Sequence, residues 1–287
     1  MGRISGNFDS LVEIEPLTPR RNLRLILSIS SDIGTALAED WNSAGIEVVG
    51  TYRTWSKNCE KLKDLGIQLI QCDFTDKKSI ELAVAESARL PYWNVLVLAA
   101  GDQNPIGLFK DINFDDWEKS IHANFSGMLR FLHQCLGFQS NQTTRTVIFF
   151  AGGATNSATE RYSAYTISKI ASIKMCELLD FEIKDTKFSI LGPGWVKTKI
   201  HQSTIHEPIN SGKNFARTNE MLQGKNMNSM SNVVECCNWV ISQPKEVVGG
   251  RNFSVVYDNW GDPKLNSELL EDKNVYKLRR FKNDFFK

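Results

Sequence analysis

The stretch from residue 146 to residue 198 decides the fold of this chain. It opens with the apolar run Thr146-Val147-Ile148-Phe149-Phe150, continues with a helical pattern over residues 163–185, and returns to a second run, Phe188-Ser189-Ile190-Leu191. Short runs rich in β-branched and aromatic residues predict buried strands. A strand, a long helix and another strand in succession predict a right-handed crossover between parallel neighbours. This stretch therefore predicts part of a parallel sheet covered by helices.

The same alternation of strands and helices extends along most of the chain. Five further strands are predicted at Leu23–Ser28, Glu47–Arg53, Ile67–Gln71, Val95–Leu98 and Phe253–Val256, with further helices near residues 33–43, 55–64, 77–89, 114–136 and 231–242. Because nearly every strand is followed by a helix, the pattern predicts an α/β fold. We expect a single Rossmann-type, doubly wound, seven-stranded parallel sheet with helices on both faces.

The length and composition favour one domain. A chain of 287 residues with 41% hydrophobic residues can bury one large core. We place this domain at residues 22–258, after an N-terminal extension (1–21) and before a C-terminal tail (259–287). Residues 199–231 are polar and more than twice the usual connection length, which predicts a long loop. Such a loop would serve as a lid or a substrate-selecting segment, with disorder as the alternative.

Charge and cysteine content exclude several classes of partner. The 34 basic and 33 acidic residues nearly cancel, and no basic run interleaved with aromatics predicts nucleic-acid binding. Neither the six cysteines nor the four histidines show a metal-binding spacing. The N-terminus lacks a signal pattern, and no apolar run reaches the ~18 residues needed to span a bilayer. We expect a soluble cytoplasmic protein with no metal and no membrane partner.

Tyr165 and Lys169 are the candidate chemical groups within the predicted helix over residues 163–185. Positions i and i+4 share a helix face, so the ammonium can lie beside the phenol. Lowering a phenol pKa from ~10 to about 7 needs roughly 4 kcal/mol of preference for the phenolate, which a fixed cation can largely supply. The pair predicts an acid or base, and an ordinary helix-surface pair is the alternative.

The turn after the first predicted strand is a candidate phosphate site. In doubly wound sheets, a dinucleotide pyrophosphate lies at the N-terminus of the first helix. The residues of this turn assigned to cofactor binding are Ser28, Ser30, Ser31, Asp32, Ile33 and Gly34. Since only one of them is glycine, an ordinary capped helix start is the alternative.

The ends of the second and third strands suggest which cofactor binds. Arg53 stands where a carboxylate would hold a ribose 2′-hydroxyl, and a guanidinium there favours a 2′-phosphate. This predicts NADP(H), with NAD(H) less favoured, and a solvated surface arginine is the alternative. Asp73 closes the third strand and could meet the adenine amino group, or it could simply form a turn.

Several short motifs, taken together, resemble the short-chain dehydrogenase/reductase family over about residues 22–258. They are Tyr165-x-x-x-Lys169, Gly192-Pro193-Gly194-Trp195-Val196-Lys197-Thr198, Ala99-Ala100-Gly101, Asn124 and Cys72-Asp73. The resemblance implies that Tyr165 is the general acid/base, that Lys169 binds the nicotinamide ribose and lowers the phenol pKa, and that Asn124 holds a proton-relay water. It also implies cofactor contacts at Asp73, Phe74, Ala99, Ala100, Gly101, Pro193, Gly194, Val196 and Thr198.

The chain departs from the family pattern at two places. The serine that would bind the substrate oxygen is replaced by Gly152. Thr155, Ser157 or the backbone N–H groups of the Gly152-Gly153 turn are the candidate replacements, and we also assign His201 to the substrate side. In the first turn, two glycine positions of the pattern are Ser28 and Asp32. A carboxylate beside a pyrophosphate is unfavourable, so Asp32 weakens the expectation of cofactor binding.

A weaker resemblance concerns the substrate. Residues 151–155, 257–260 and 276–280 are similar to a branch of the family found among bacterial surface-polysaccharide and sugar-nucleotide enzymes. This implies an NADP(H)-dependent oxidoreductase acting on a polar, sugar-like substrate. An epimerase or dehydratase on the same scaffold, or a catalytically weak dinucleotide-binding regulatory protein, are the alternatives. The family also implies a homodimer or homotetramer, with the helix carrying Tyr165 at its interface.

Overall fold

A seven-stranded parallel sheet forms the centre of the computed structural model, which describes residues 23–88, 92–137, 144–153, 157–224 and 227–280. The strands are β1 (Leu23–Leu27), β2 (Glu47–Tyr52), β3 (Gln68–Gln71), β4 (Val95–Leu98), β5 (Arg145–Phe150), β6 (Thr186–Gly192) and β7 (Asn252–Ser254). Their order across the sheet is β3-β2-β1-β4-β5-β6-β7. The predicted fold class is thus confirmed, with small differences at strand ends such as the earlier start of β7.

Helices connect the strands and cover both faces of the sheet. They are α1 (Asp32–Ser43), α2 (Lys57–Asp64), α3 (Lys77–Ser87), α4 (Phe114–Ile121), α5 (Gly127–Leu136), α6 (Ser163–Glu182), α7 (Gln202–His206), α8 (Pro208–Ser211), α9 (Lys213–Gln223), α10 (Met230–Ser242), α11 (Lys245–Val248) and α12 (Pro263–Glu271). No helix among the described residues has both the length and the apolar character needed to cross a membrane.

The core consists of two apolar layers, one on each side of the sheet. Alternate residues of β1 point to opposite faces, so Leu25 lies in one layer and Ile26 in the other. The first layer includes Phe131 of α5, and the second includes Leu37 of α1. Burial on both faces explains why β4 reads as the continuous apolar run Val95–Leu98.

The strand order reverses between β2-β1 and β4-β5. Loops that follow β1 and β4 therefore diverge to opposite sides of the sheet, and a crevice forms between them at the carboxyl edge. Ligands of open α/β sheets bind at this kind of switch point. The strand order alone therefore predicts a ligand-binding site at this edge of the sheet.

The helix predicted over residues 114–136 is interrupted by a π-helical turn. This turn spans His122–Ser126, and the N–H of Gly127 donates to the His122 carbonyl five residues back. A Cβ at Gly127 would lie 2.0 Å from the Phe74 carbonyl oxygen. The loop after β3 thus reaches the helix backbone, and only a residue without a side chain fits there.

The predicted loop over residues 199–231 is instead largely helical. It forms a 3₁₀ turn (Lys199–His201) followed by α7, α8 and α9. We call residues 199–223 the 199–223 segment. The Tyr162 hydroxyl lies 2.7 Å from Thr204 Oγ1, which in turn donates to Gln103 Oε1 at 3.0 Å. Buried hydrogen bonds therefore fix this segment to the body of the domain.

The described part of the C-terminal tail also packs on the domain. Helix α12 buries Leu265 and Leu269 in the second apolar layer. Arg251, 2% exposed beside β7, donates to the carbonyls of Val275 at 2.6 Å and Asp272 at 3.2 Å, and also to the Leu269 carbonyl. A buried guanidinium thus satisfies the carbonyls at the end of α12.

Candidate active site

A cavity of about 1470 Å³ opens at the carboxyl edge of the sheet, at the switch point. It is lined by most of the residues that the sequence assigns to a site: Ser31, Asp32, Ile33, Arg53, Ala99, Ala100, Gly101, Gly152, Gly153, Ser157, Tyr165, Lys169, Pro193, Gly194, Val196, Thr198 and His201. Of the predicted residues that the structure describes, Ser28, Ser30, Gly34, Asp73, Phe74 and Asn124 lie outside this lining. Thr155 falls outside the described residues.

The turn between β1 and α1, the candidate phosphate site, has a left-handed residue at its start although it lacks most of the glycines. Ser28 adopts a left-handed φ of 64°, which explains why the family pattern has glycine at this position. A Cβ at Gly34 would lie 2.7 Å from the Ser28 carbonyl oxygen, so this glycine is required. The Ser31 hydroxyl accepts from the Gly34 N–H at 3.1 Å and caps α1.

Asp32 is held by the 199–223 segment. Its Oδ2 accepts a hydrogen bond from the backbone N–H of Lys199 at 2.6 Å. The carboxylate lies in the first turn of α1, where the helix dipole favours negative charge. The hydrogen bond from Lys199 thus gives the Asp32 carboxylate a favourable partner, which the sequence did not predict.

The residues after β2 and β3 have different surroundings. Arg53 is exposed at the end of β2, lines the cavity and forms no ion pair with the described residues. Asp73 Oδ1 accepts from the backbone N–H and the hydroxyl of Thr75 at 2.9 and 2.8 Å, and thus forms the turn weighed as its alternative role. The Phe74 ring packs edge-on against Phe131 in the core, so a cofactor contact would fall to its backbone.

Tyr165 and Lys169 lie on one face of α6 at the wall of the cavity. The Lys169 ammonium is 5.6 Å from the centroid of the Tyr165 ring. It donates to the carbonyl oxygen of Ala100, after β4, at 3.1 Å. The helix and the β4 loop together position the ammonium over the ring face.

The protonation of this pair differs from the sequence expectation. Burial raises the pKa of the Tyr165 phenol to about 12 and lowers the pKa of Lys169 to about 8. The expected lowering of the phenol pKa is therefore not seen, because the ammonium bonds a carbonyl and faces the ring while both groups lose water. The phenol holds its proton at neutral pH, which suits a proton donor.

The position of the missing serine is occupied by the catalytic candidate itself. A Cβ at Gly152 would lie 2.9 Å from Tyr165 Cε1 and 3.2 Å from its hydroxyl oxygen. The tyrosine thus approaches the backbone more closely than a serine at residue 152 would allow. Ser157 and Gly153 line the cavity nearby and stay available as candidates for binding a substrate oxygen.

Asn124 lies in the π-helical turn and is fully buried. Its Oδ1 accepts from the Asp102 N–H at 2.8 Å, and its Nδ2 donates to the Asp102 carbonyl at 2.9 Å and to the Ser120 carbonyl at 3.0 Å. The side chain is therefore engaged in fixing the loop after β4. A role in holding water would fall to its backbone.

The segment after β6 forms the far wall of the cavity. Gly194 has a φ of 73°, and a Cβ there would lie 2.5 Å from Val256 Cγ2. The buried His201 ring stacks on Trp195 at 5.1 Å between centroids, and its Nε2 lies 2.9 Å from the Val196 carbonyl oxygen. Burial lowers the pKa of His201, so the ring is a neutral part of the wall at pH 7.

Several residues that line this cavity were not singled out by the sequence analysis. Thr204, Arg217 and Lys199 all belong to the 199–223 segment and all line the cavity. The stretch was predicted to be a lid or a substrate-selecting loop, but nothing in that prediction pointed to these individual residues. The length of the segment was the one signal, because long connections at the carboxyl edge often carry binding residues.

Comparison with known proteins agrees with this geometry. The family model for short chain dehydrogenases matches residues 23–208. An uncharacterized oxidoreductase of Staphylococcus epidermidis is 22% identical over 237 residues, which cover 79% of this chain and 94% of that protein. A short-chain dehydrogenase/reductase from Saccharomyces cerevisiae has a similar structure, with a TM-score of 0.74 at 21% identity, covering 85% of this chain and 98% of that one.

A second solved structure, an actinorhodin polyketide ketoreductase with NADPH, has a TM-score of 0.70 at 20% identity and covers 82% of this chain and 95% of its own. Structural likeness at such identity shows the fold, whereas the family match spans the first turn, Tyr165 and Lys169. The chain belongs to the short-chain dehydrogenase family of NAD(P)-dependent oxidoreductases.

Proposed function

We propose that this protein is an NADP(H)-dependent oxidoreductase that interconverts a carbonyl and a hydroxyl group on a polar, sugar-like substrate, with Tyr165 as the general acid/base. The observation that carries the proposal is the position of Tyr165 and Lys169 in the same cavity as Arg53 and the first turn of α1. A ligand that extends from the turn across the sheet edge would then come within reach of Tyr165 as its proton donor.

The residues of the cavity fit a dinucleotide. The N-terminus of α1 offers backbone N–H groups to a pyrophosphate. A Cβ at Gly101 would lie 3.3 Å from Ile200 Cδ1 and 3.9 Å from Lys169 Nζ, so the backbone of Gly101 lies close to the ammonium that would bind a ribose. Arg53 would hold a 2′-phosphate, and Val196 and Thr198 would contact the nicotinamide end.

The residues of the chain then supply the proton chemistry. A bound nicotinamide supplies or accepts the hydride at its C4 atom. In the reducing direction, the Tyr165 hydroxyl gives its proton to the substrate oxygen as negative charge develops there, and the carbonyl becomes an alcohol. The Lys169 ammonium, 5.6 Å from the ring centroid, offsets part of the negative charge left on Tyr165, although burial keeps the pKa of the resting phenol high. In the oxidising direction, the phenolate takes the proton back.

Polar groups on the substrate side support a sugar-like substrate. Ser157, His201, Asn214, Arg217 and Asn228 all line the cavity. Such side chains suit the hydroxyl groups of a sugar and the phosphates of a nucleotide. The function is tested by following NADPH absorbance with nucleotide-linked keto-sugars and with simple ketones. An epimerase or dehydratase would convert substrate with no net loss of NADPH and would contradict the proposed reaction.

The Arg53→Ala variant tests the cofactor preference. It is expected to weaken NADPH binding on the order of 10- to 100-fold and to leave NADH binding nearly unchanged, because only NADPH carries the 2′-phosphate. Equilibrium fluorescence titration of both cofactors measures this. Lys57→Ala is the matched control, since Lys57 is an exposed cation at the start of α2 that is outside the cavity lining. Equal losses for NADPH and NADH would contradict the assignment.

The pKa of Lys169 predicts a pH dependence. Because this pKa is lowered to about 8, the ammonium is charged below that pH and becomes neutral above it. Tyr165, with a pKa of about 12, keeps its proton over the same range. A neutral Lys169 can no longer offset the negative charge left on Tyr165. We therefore expect kcat/KM for carbonyl reduction to fall as the pH rises through about 8.

The matched control for this pH profile is Lys169→Arg. A guanidinium stays charged up to about pH 12, so any activity left in this variant should lack the fall near pH 8. A wild-type profile that is flat through pH 8, or a fall that persists in the arginine variant, would show that another group controls the reaction.

We also propose that the protein is a cytoplasmic homodimer or homotetramer that pairs through α6. Ile167, Leu178 and Phe181 are exposed on this helix, and Phe181 is 75% exposed. Apolar side chains in this number on one helix favour contact with another subunit. The six cysteines are free and buried, as suits a reducing compartment. A monomeric mass by light scattering at micromolar concentration would contradict the oligomer.

A further inference from the structure

Asp32 and Lys199 place two opposite charges at the N-terminus of α1. The backbone N–H of Lys199 donates to Asp32 Oδ2 at 2.6 Å, and Lys199 Nζ donates to the Ser30 carbonyl oxygen at 2.8 Å. Both charged residues line the cavity. The first residue of the 199–223 segment is thus tied to the phosphate-binding turn by its backbone and by its side chain.

The Lys199 ammonium keeps its charge available for a ligand. It forms no ion pair with the carboxylates of the described residues, and its acceptor in the turn is a neutral carbonyl. An ammonium has three N–H donors, so two are left after the bond to Ser30. An anion at the α1 N-terminus would find an unneutralised cation at the edge of its site.

Asp32 has the opposite effect on such an anion. A helix N-terminus attracts phosphate through its N–H groups and its dipole, but a carboxylate in the first turn repels it. A site with Asp32 alone would therefore bind a pyrophosphate poorly. With Lys199 beside it, the two formal charges sum to zero and the attraction of the helix is restored.

We propose that Lys199 is a phosphate-binding residue of the dinucleotide site and offsets the charge of Asp32. This inference rests on the proposed function, because it assumes that a dinucleotide occupies the cavity. It gives a specific role to a residue of the 199–223 segment. It also explains how a chain with a carboxylate at a glycine position of the family pattern can bind a cofactor.

Three variants test the inference by equilibrium binding of NADPH at low salt, with no need for turnover. Lys199→Met is expected to weaken binding about tenfold, because a charge-assisted contact is lost and Asp32 is left uncompensated. Asp32→Asn keeps an amide oxygen for the Lys199 N–H and should tighten binding severalfold. The double variant removes both formal charges and should return to near wild-type affinity, as the sum of the two opposing single effects requires.

Two controls test whether Lys199 itself is responsible and which phosphate of the cofactor it contacts. Lys197→Met removes an exposed cation two residues away that is outside the cavity lining, and it should leave NADPH affinity unchanged. Adenosine 2′-monophosphate carries the 2′-phosphate and no pyrophosphate. Its affinity should be unaffected by Lys199→Met and lowered by Arg53→Ala. Thermal unfolding of each variant without ligand checks that the fold is retained.

The outcomes separate the inference from the function on which it rests. NADPH affinity of Lys199→Met within twofold of wild type would overturn the role of Lys199, although the wild-type protein binds cofactor. Equal losses of NADPH and adenosine 2′-monophosphate in Lys199→Met would also overturn it, because the charge would then act at the 2′-phosphate. Failure of the wild-type protein to bind NADPH or NADH would refute the proposed function, and this inference with it.

Discussion

Replacing Tyr165 with phenylalanine is expected to lower kcat/KM about 10²- to 10⁴-fold, the usual contribution of general acid/base catalysis. The ring edge that lies against Gly152 and the ring face under Lys169 are retained, so the fold should be unchanged. NADPH affinity should also be close to wild type, because only the proton donor is lost. The measurements are steady-state kinetics on an identified substrate and NADPH titration of the same preparation.

Tyr92→Phe is the matched control for this substitution. Tyr92 precedes β4 at the amino edge of the sheet, opposite the cavity, and it is not among the cavity-lining residues. Its loss of a hydroxyl should leave the kinetics unchanged. Undiminished turnover in Tyr165→Phe would show that another group transfers the proton. A large drop in thermal stability would show that the hydroxyl serves the fold.

The largest expected effect on stability is that of Gly127→Ala. The new Cβ would lie 2.0 Å from the Phe74 carbonyl oxygen and 2.8 Å from the His122 carbonyl oxygen. Both are backbone atoms and cannot rotate away, so the loop after β3 or the π-helical turn must move. We expect the free energy of unfolding to fall by about 3 kcal/mol, the upper end for an overpacked site. Urea denaturation measures this fall.

Gly137→Ala separates this steric effect from the general effect of adding a methyl group. Gly137 follows α5 with an ordinary φ of −73°, and a Cβ there would meet its nearest neighbour, the Gln134 carbonyl oxygen, at 3.5 Å. Its substitution should change the free energy of unfolding by less than about 1 kcal/mol. A Gly127→Ala protein as stable as Gly137→Ala would mean that the two backbones separate at little cost.

Much of the fold could be predicted from the sequence, because strands buried on both faces leave a simple pattern. Val95–Leu98 and Phe188–Leu191 are short apolar runs between helical patterns, and the structure pairs both in the parallel sheet. The 199–223 segment could not be predicted in this way. Its helices bury the polar residues Thr204, Ser211 and Thr218. Because a segment that buries polar residues lacks the apolar periodicity of an ordinary helix, its sequence predicts a loop.

The sequence predicted most of the residues that line the candidate site, but it did not predict their pKa values or the direction of every side chain. Tyr165 and Lys169 face the cavity, as their i,i+4 spacing requires. Their pKa values could not be foreseen, because these depend on burial and on the bond from Lys169 to Ala100, which the fold alone determines. Phe74 and Asn124 turn their side chains inward for the same kind of reason. A motif specifies a backbone position, and packing decides the direction of the side chain.

The buried guanidinium of Arg251 has a consequence for where the protein can be shortened. The family match ends at residue 208, yet the second apolar layer continues through Val233 and Phe253 to Leu269. A protein truncated at the family boundary would expose this face of the sheet to water. A cut just after α12 would instead leave the buried Arg251 guanidinium without two of its hydrogen-bond acceptors, the carbonyls of Asp272 and Val275. A shortened protein that keeps this apolar layer and the acceptors of Arg251 must therefore extend past Val275, well beyond the end of the family match at residue 208.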